Sequence, residues 1–219
     1  MNSKIRKALL SFVSIPISIL ISFQGLTISS YAHNGDVFSG TYTSSAICNQ
    51  SNLNFKINSS AQTSLLTYNV YNKATAWSST SSNVSVNVVM SSPGMPTYGF
   101  YNVYGKEYSD GTFGSTIPHD SNGNIVGVND NWNSVTIYIN TKSGTFADST
   151  AASKTFIHEV GHALKLKHPS SSFAYSGHTY EGGLPKAIMN QGAPNSNKPW
   201  IATSIQTHDK NNITAKWGG

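Results

Sequence analysis

Three histidines constrain this chain more than any other feature: His158, His162 and His168, with Glu159 directly after the first. The pattern is HExxHxxxxxH. On an α-helix, residues four apart share a face. His158 and His162 can therefore aim two imidazoles at one ion, and Glu159 sits where it can act on a water held there. With 7 histidines in 219 residues, chance placement yields HExxH about 0.003 times per chain, and roughly 0.0001 times with the third histidine. The bland alternative is an amphipathic helix with surface histidines. Glu159, one of 9 acidic residues, would then lie between two histidines for no reason.

The third histidine sets the backbone path. In a continuous helix it would lie about 120° around from His162 and about 9 Å further along the axis. It could not reach the same ion. The helix is expected to stop near Leu164 and the chain to double back. Pro169 supports this, because the residue before a proline avoids the α region.

The N-terminus reads as an export leader. Lys4, Arg6 and Lys7 precede an uncharged apolar stretch, and Ser30-Tyr31-Ala32 forms a small-residue cleavage site. Cleavage is expected after Ala32, giving a secreted protein; residues 1–32 are then the signal peptide and 33–50 an N-terminal arm. An uncleaved anchor is the alternative, disfavoured by Pro16 and the cleavage site. Removing the leader leaves 11 of the 14 basic residues against 9 acids, and no arginine. A chain with neither arginine nor a lysine cluster is a poor candidate for nucleic acid recognition. Cys48 is the only cysteine, so no intramolecular disulfide can form. A free thiol packed in the interior suits it better than a metal-bound latency thiolate.

Residues 51–219 read as one domain. Leu53–Ile57 and Val84–Val88 alternate apolar and polar residues and read as strands, as do Tyr98–Tyr104 and Val135–Ile139. Ser59 or Ser60 can cap a helix whose face carries Leu66, Val70, Ala74 and Trp77. The motif helix is expected to begin between Ser149 and Lys154, and a last helix near Thr207, with Asp209 favouring its dipole and Trp217 closing it on the core. This order indicates an α/β or α+β layer with two helices on one sheet.

At the motif, the chain resembles the metzincin zinc peptidases, and within them the matrixin branch. Those proteins carry HExxHxxGxxH followed by a Met-turn. Here the matching residues are His158, Glu159, His162 and His168, with Ala187-Ile188-Met189-Asn190 as the Met-turn. The resemblance spans roughly residues 52–217. It implies a twisted mixed sheet with two packed helices, and a small C-terminal subdomain holding the Met-turn and a final helix. It also implies one catalytic zinc on His158, His162 and His168, a water activated by Glu159, and hydrolysis of an extended peptide laid on an edge strand between Gly111 and Val128. The family glycine that ends the helix is replaced by Lys165, at a cost on the order of 1 kcal/mol if the backbone is left-handed there. Glu181 remains an alternative third ligand, as in gluzincins, and His178 another. Gln191 stands where some relatives have a tyrosine, a role Tyr175 or Tyr180 of the Ser170–Pro185 insertion could supply.

His119-Asp120 is the one pair that could hold calcium or a structural zinc, and it reads first as a surface turn. Asp36 could in principle block the metal. The expected partner is a protein or peptide substrate, with no nucleic acid and no stable membrane association after cleavage, and the chain is expected to be monomeric. From another class, the alternative is a secreted non-catalytic zinc- or peptide-binding module with the same fold.

Overall fold

Five short strands pair into one mixed sheet, and one of them, Gly114–His119, carries no apolar alternation and was not expected from the sequence. The computed structural model of the protein describes residues 36–67, 70–96, 98–170, 184–192 and 201–219, all within the compact unit Tyr31–Gly219. The strands are β1 (Leu53–Ile57), β2 (Val86–Met90), β3 (Tyr101–Lys106), β4 (Gly114–His119) and β5 (Ser134–Asn140), in the spatial order β2-β1-β3-β5-β4. β1 is parallel to β2 and β3, and β3 to β5. β4 runs antiparallel to β5, with Gly114 opposite Ile139 and His119 opposite Ser134.

Successive side chains on a strand point to opposite faces. Phe55, Ile57, Val103, Ile137 and Ile139 are fully buried on one face, while Tyr104 on the other is exposed. The buried face packs against helices α1 (Ser59–Thr67) and α2 (Ser149–Ala163), which contribute Leu65, Phe156 and Val160 to the same core. A third helix, α3 (Thr207–Trp217), opens with a capping box between Gln206 and Asp209. Its Trp217 stacks on Tyr42 and donates from Nε1 to the Leu164 carbonyl at 2.9 Å. The architecture is α+β, as expected.

Three local expectations need correction. Ser59 and Ser60 lie inside the first turn of α1 instead of capping it; the Asn58 carbonyl accepts from Ala61 and Gln62. The face from Leu66 to Trp77 is not one helix. α1 ends at Thr67, and Lys73–Ser79 forms a separate 3₁₀ helix. Val70, Ala74 and Trp77 are still buried. Ser- and Thr-rich sequence is a poor helix former, and Trp77 is drawn to α2, where its Nε1 donates to the Ile157 carbonyl at 2.9 Å. β2 and β3 also begin later than the alternation suggested, because pairing partners decide where a ladder starts.

The N-terminal segment is integrated into the fold. Val37 bridges Leu166, and Tyr42 bridges Trp132. Residues 1–32, expected to be a leader, lie outside the described residues. Among those described, no helix is long and apolar enough to cross a membrane.

Candidate metal centre

α2 is capped by Asp148, whose side chain accepts from the Ala151 amide at 2.9 Å. It runs to Ala163, with Leu164 as its C-cap. The next residue, Lys165, has φ 71°, the single positive-φ residue other than glycine among those described. The backbone is thus left-handed at the position the family glycine would take, and the chain reverses there. Leu166 then donates to the Gly161 carbonyl at 3.0 Å, and Lys165 to that of His162 at 2.9 Å.

The strain at Lys165 is offset by what its side chain meets. The residue is fully buried. Its ammonium donates to the Asp130 carbonyl at 2.9 Å and lies 3.2 Å from the centre of the Trp132 ring. A cation over an indole contributes about 1–2 kcal/mol when desolvated, comparable to the backbone cost. Burial pushes the ammonium down to about 7. The N-terminal segment braces the reversal: Phe38 donates to the Lys165 carbonyl, and Lys167 to that of Asp36, both at 2.8 Å.

The reversal brings the three histidines together. His168 Nε2 lies 3.1 Å from His158 Nε2 and 3.0 Å from His162 Nε2. His158 Nδ1 donates to the Ile188 carbonyl at 2.9 Å, and His162 Nδ1 to the Leu166 carbonyl at 2.8 Å. Carbonyls only accept, so those protons sit on Nδ1 and both Nε2 lone pairs face inward. At most one hydrogen, from His168, could lie between three nitrogens. Such a cluster calls for a cation, and it is the one group among the described residues that could hold a metal ion. Burial keeps all three imidazoles neutral, the form that binds metal: His158 well below its usual range, His162 down to about 3 and His168 down to about 4.

Glu159 is buried beside them, under β4. Thr116 Oγ1 donates to Glu159 Oε2 at 2.7 Å. Gly114 is needed here, because a Cβ would lie 2.9 Å from Glu159 Cγ. Burial raises the Glu159 carboxyl to about 7, against the Thr116 hydroxyl and the Lys154 charge. The cleft over this site encloses about 520 Å³, between Gly111–Thr116 on one side and α2 on the other, with Phe38, Val128 and Trp132 at one end and Lys154, Gln191 and Gly192 also lining it.

The expected turn at Ala187–Asn190 is present. Asn190 donates to the Ala187 carbonyl at 3.4 Å, and Met189 is 2 % exposed. Asp209 holds this turn as well as capping α3: Oδ2 accepts from the Ile188 amide at 2.9 Å, and Oδ1 from Met189 at 3.4 Å. Burial raises that carboxyl to about 6.

Other candidates fall elsewhere. His119 spends its ring nitrogens on the Gly123 carbonyl and the Thr136 hydroxyl, and Asp120 organises the turn by accepting from Asn122 and Asn124. Cys48 is a buried thiol, raised by burial, 3.5 Å from the Gly99 carbonyl and outside the cleft lining. Asp36 lies against His208, Oδ2 to Nε2 at 3.1 Å, on α3 and away from the three histidines. Glu181, His178, Tyr175 and Tyr180 lie outside the described residues.

Lys154, Thr116 and Phe38 went unnoticed in the sequence. Lys154 had a signal, since Lys154, His158 and His162 follow at intervals of four. Its ammonium, 3.2 Å from His158 Nδ1, donates to the Asn190 carbonyl at 2.5 Å, and burial pushes it down to about 8. The chain matches no protein-family model and no curated protein.

Proposed function

We propose that this chain is an exported zinc-dependent endopeptidase of metzincin type, with His158, His162 and His168 as zinc ligands and Glu159 as general base. The observation that carries the reading is the meeting of three inward-facing imidazole nitrogens in one cleft with a buried carboxylate. Tetrahedral zinc with nitrogens at about 2.0–2.1 Å sets them about 3.3 Å apart, close to the 3.0 and 3.1 Å separations here. Zinc, when bound, would acidify a water and polarise the peptide carbonyl.

The chain's own residues supply the rest. Glu159 offers Oε1 for the proton while Thr116 fixes Oε2, and it would return that proton to the leaving nitrogen. A carboxyl near neutral pKa suits both tasks. β4 is one of the two edge strands, and its Gly114–Thr116 stretch lines the cleft, so an extended peptide can add to it as a strand.

The test pairs metal content with cleavage. Purified protein should bind one zinc and cut casein, and Glu159→Ala should keep the zinc while cutting at most one part in about 10³. Equal cleavage by the variant would overturn the assignment. One zinc bound with no peptide cut would favour the non-catalytic binding module instead.

A further inference from the structure

We propose that the cleft selects peptides carrying a side-chain carboxylate within two residues of the bond being cut, and that Lys154 recognises it. This rests on the peptidase reading and goes on to name the substrate class. Lys154 lies on α2 one turn before His158 and lines the cleft, yet it is only 4 % exposed. The Asn190 carbonyl takes one of its hydrogens. His158 Nδ1 is close, but it is already donating to the Ile188 carbonyl and accepts nothing. Two ammonium hydrogens remain. Among the described residues, no carboxylate oxygen lies within 4.0 Å of this nitrogen.

Glu159 and Asp209 support this ammonium only from beyond contact distance, and a buried cation with no carboxylate touching it is costly, so a ligand that brings one recovers part of that cost. The other acid lining the cleft, Asp110, is exposed and accepts from the Thr112 amide within its own loop. Gln191, on the same cleft, adds an amide that can donate. Beside His162, eight residues further along α2, the lining is aromatic, with Phe38 6.1 Å from Trp132 and 6.3 Å from the His162 ring. The four residues from Lys154 to His158 rise about 6 Å along α2, and an extended chain advances about 3.3 Å per residue. Lys154 thus faces a side chain one or two residues from the reacting carbonyl.

The experiment uses quenched fluorescent peptides differing only by Asp, Asn or Lys at each of the four flanking positions. At one position, Asp should exceed Asn in kcat/KM about tenfold, the size of one charge-assisted hydrogen bond. That ratio should collapse in Lys154→Met and invert toward Lys in Lys154→Glu. Calorimetric binding of uncut Asp and Asn peptides to Glu159→Gln gives a readout free of turnover. Equal binding of the two peptides overturns the proposal whether or not wild type cuts. A Lys154→Met variant that loses Tm but keeps the Asp preference also overturns it, leaving Lys154 as a clasp on the 188–190 turn. If no peptide is cut, the peptidase reading fails by itself, and the binding difference still decides Lys154. Should Lys154→Met not fold, the calorimetric difference between the Asp and Asn peptides on Glu159→Gln decides, because it needs no change at Lys154.

Discussion

Gly161 lies against Met189 so closely that a Cβ on the glycine would sit 2.3 Å from Sδ and 2.9 Å from Trp77 Cζ2. The glycine inside the motif is thus a steric requirement of the turn below. In an open helix, Gly→Ala would stabilise by about 1 kcal/mol. Here the sign reverses. Gly161→Ala is expected to destabilise by about 1–3 kcal/mol, the usual range for overpacking, measured by urea unfolding. A stabilised variant would show that Met189 is not seated under α2.

Lys165 gives a two-variant prediction. Lys165→Gly relieves the left-handed backbone but loses the Trp132 and Asp130 contacts. Lys165→Ala loses the contacts and keeps the strain. Both should be less stable than wild type, with alanine worse than glycine by about 1 kcal/mol. If glycine proves more stable than lysine, the side-chain contacts contribute nothing.

Asp209 connects α3 to the metal site through the backbone. Its carboxylate holds the Ile188 amide, and the Ile188 carbonyl orients His158. Asp209→Ala would leave the Ile188 and Gln206 amides without their acceptor, at a cost of about 2–4 kcal/mol. Zinc affinity should fall about 10–100-fold, the usual effect of losing an outer partner of a ligand. Competition with a chelating dye measures it, and unchanged affinity would disconnect the turn from the site.

The metal-free protein should weaken on acidification. The three histidines titrate below the usual 6.5 when folded. Between about pH 6.5 and 4 the unfolded chain takes up protons that the folded one does not, so stability falls as pH falls. Glu159 and Asp209 work the other way, because their folded carboxyls are raised to about 7 and about 6 and bind their protons first. Three imidazoles outweigh two carboxyls, and the net loss between pH 7 and 5 is on the order of 1–2 kcal/mol. Urea midpoints at pH 7, 6 and 5 check this. Zinc should raise the midpoint most at pH 7, since protons compete for its ligands.

Much of this was legible in the residues. Leu53–Ile57 and Val135–Ile139 announced β1 and β5 through alternation alone. Asp148 capped α2 where the motif helix was expected to begin. The broken run after Thr67 was not legible, because periodicity marks which residues are buried but not whether one continuous helix buries them. Thr116, Phe38 and Lys154 meet Glu159 and the histidines from distant or unremarked positions, and no local pattern labels them.

By itself the sequence determined that His158 and His162 share a helical face, and that a helix continued to His168 could not bring it to the same ion. Only the tertiary structure decided that the chain reverses at Lys165. A left-handed lysine is unfavourable locally, and Trp132 and the Asp130 carbonyl, more than thirty residues away in the chain, supply the contacts that offset it.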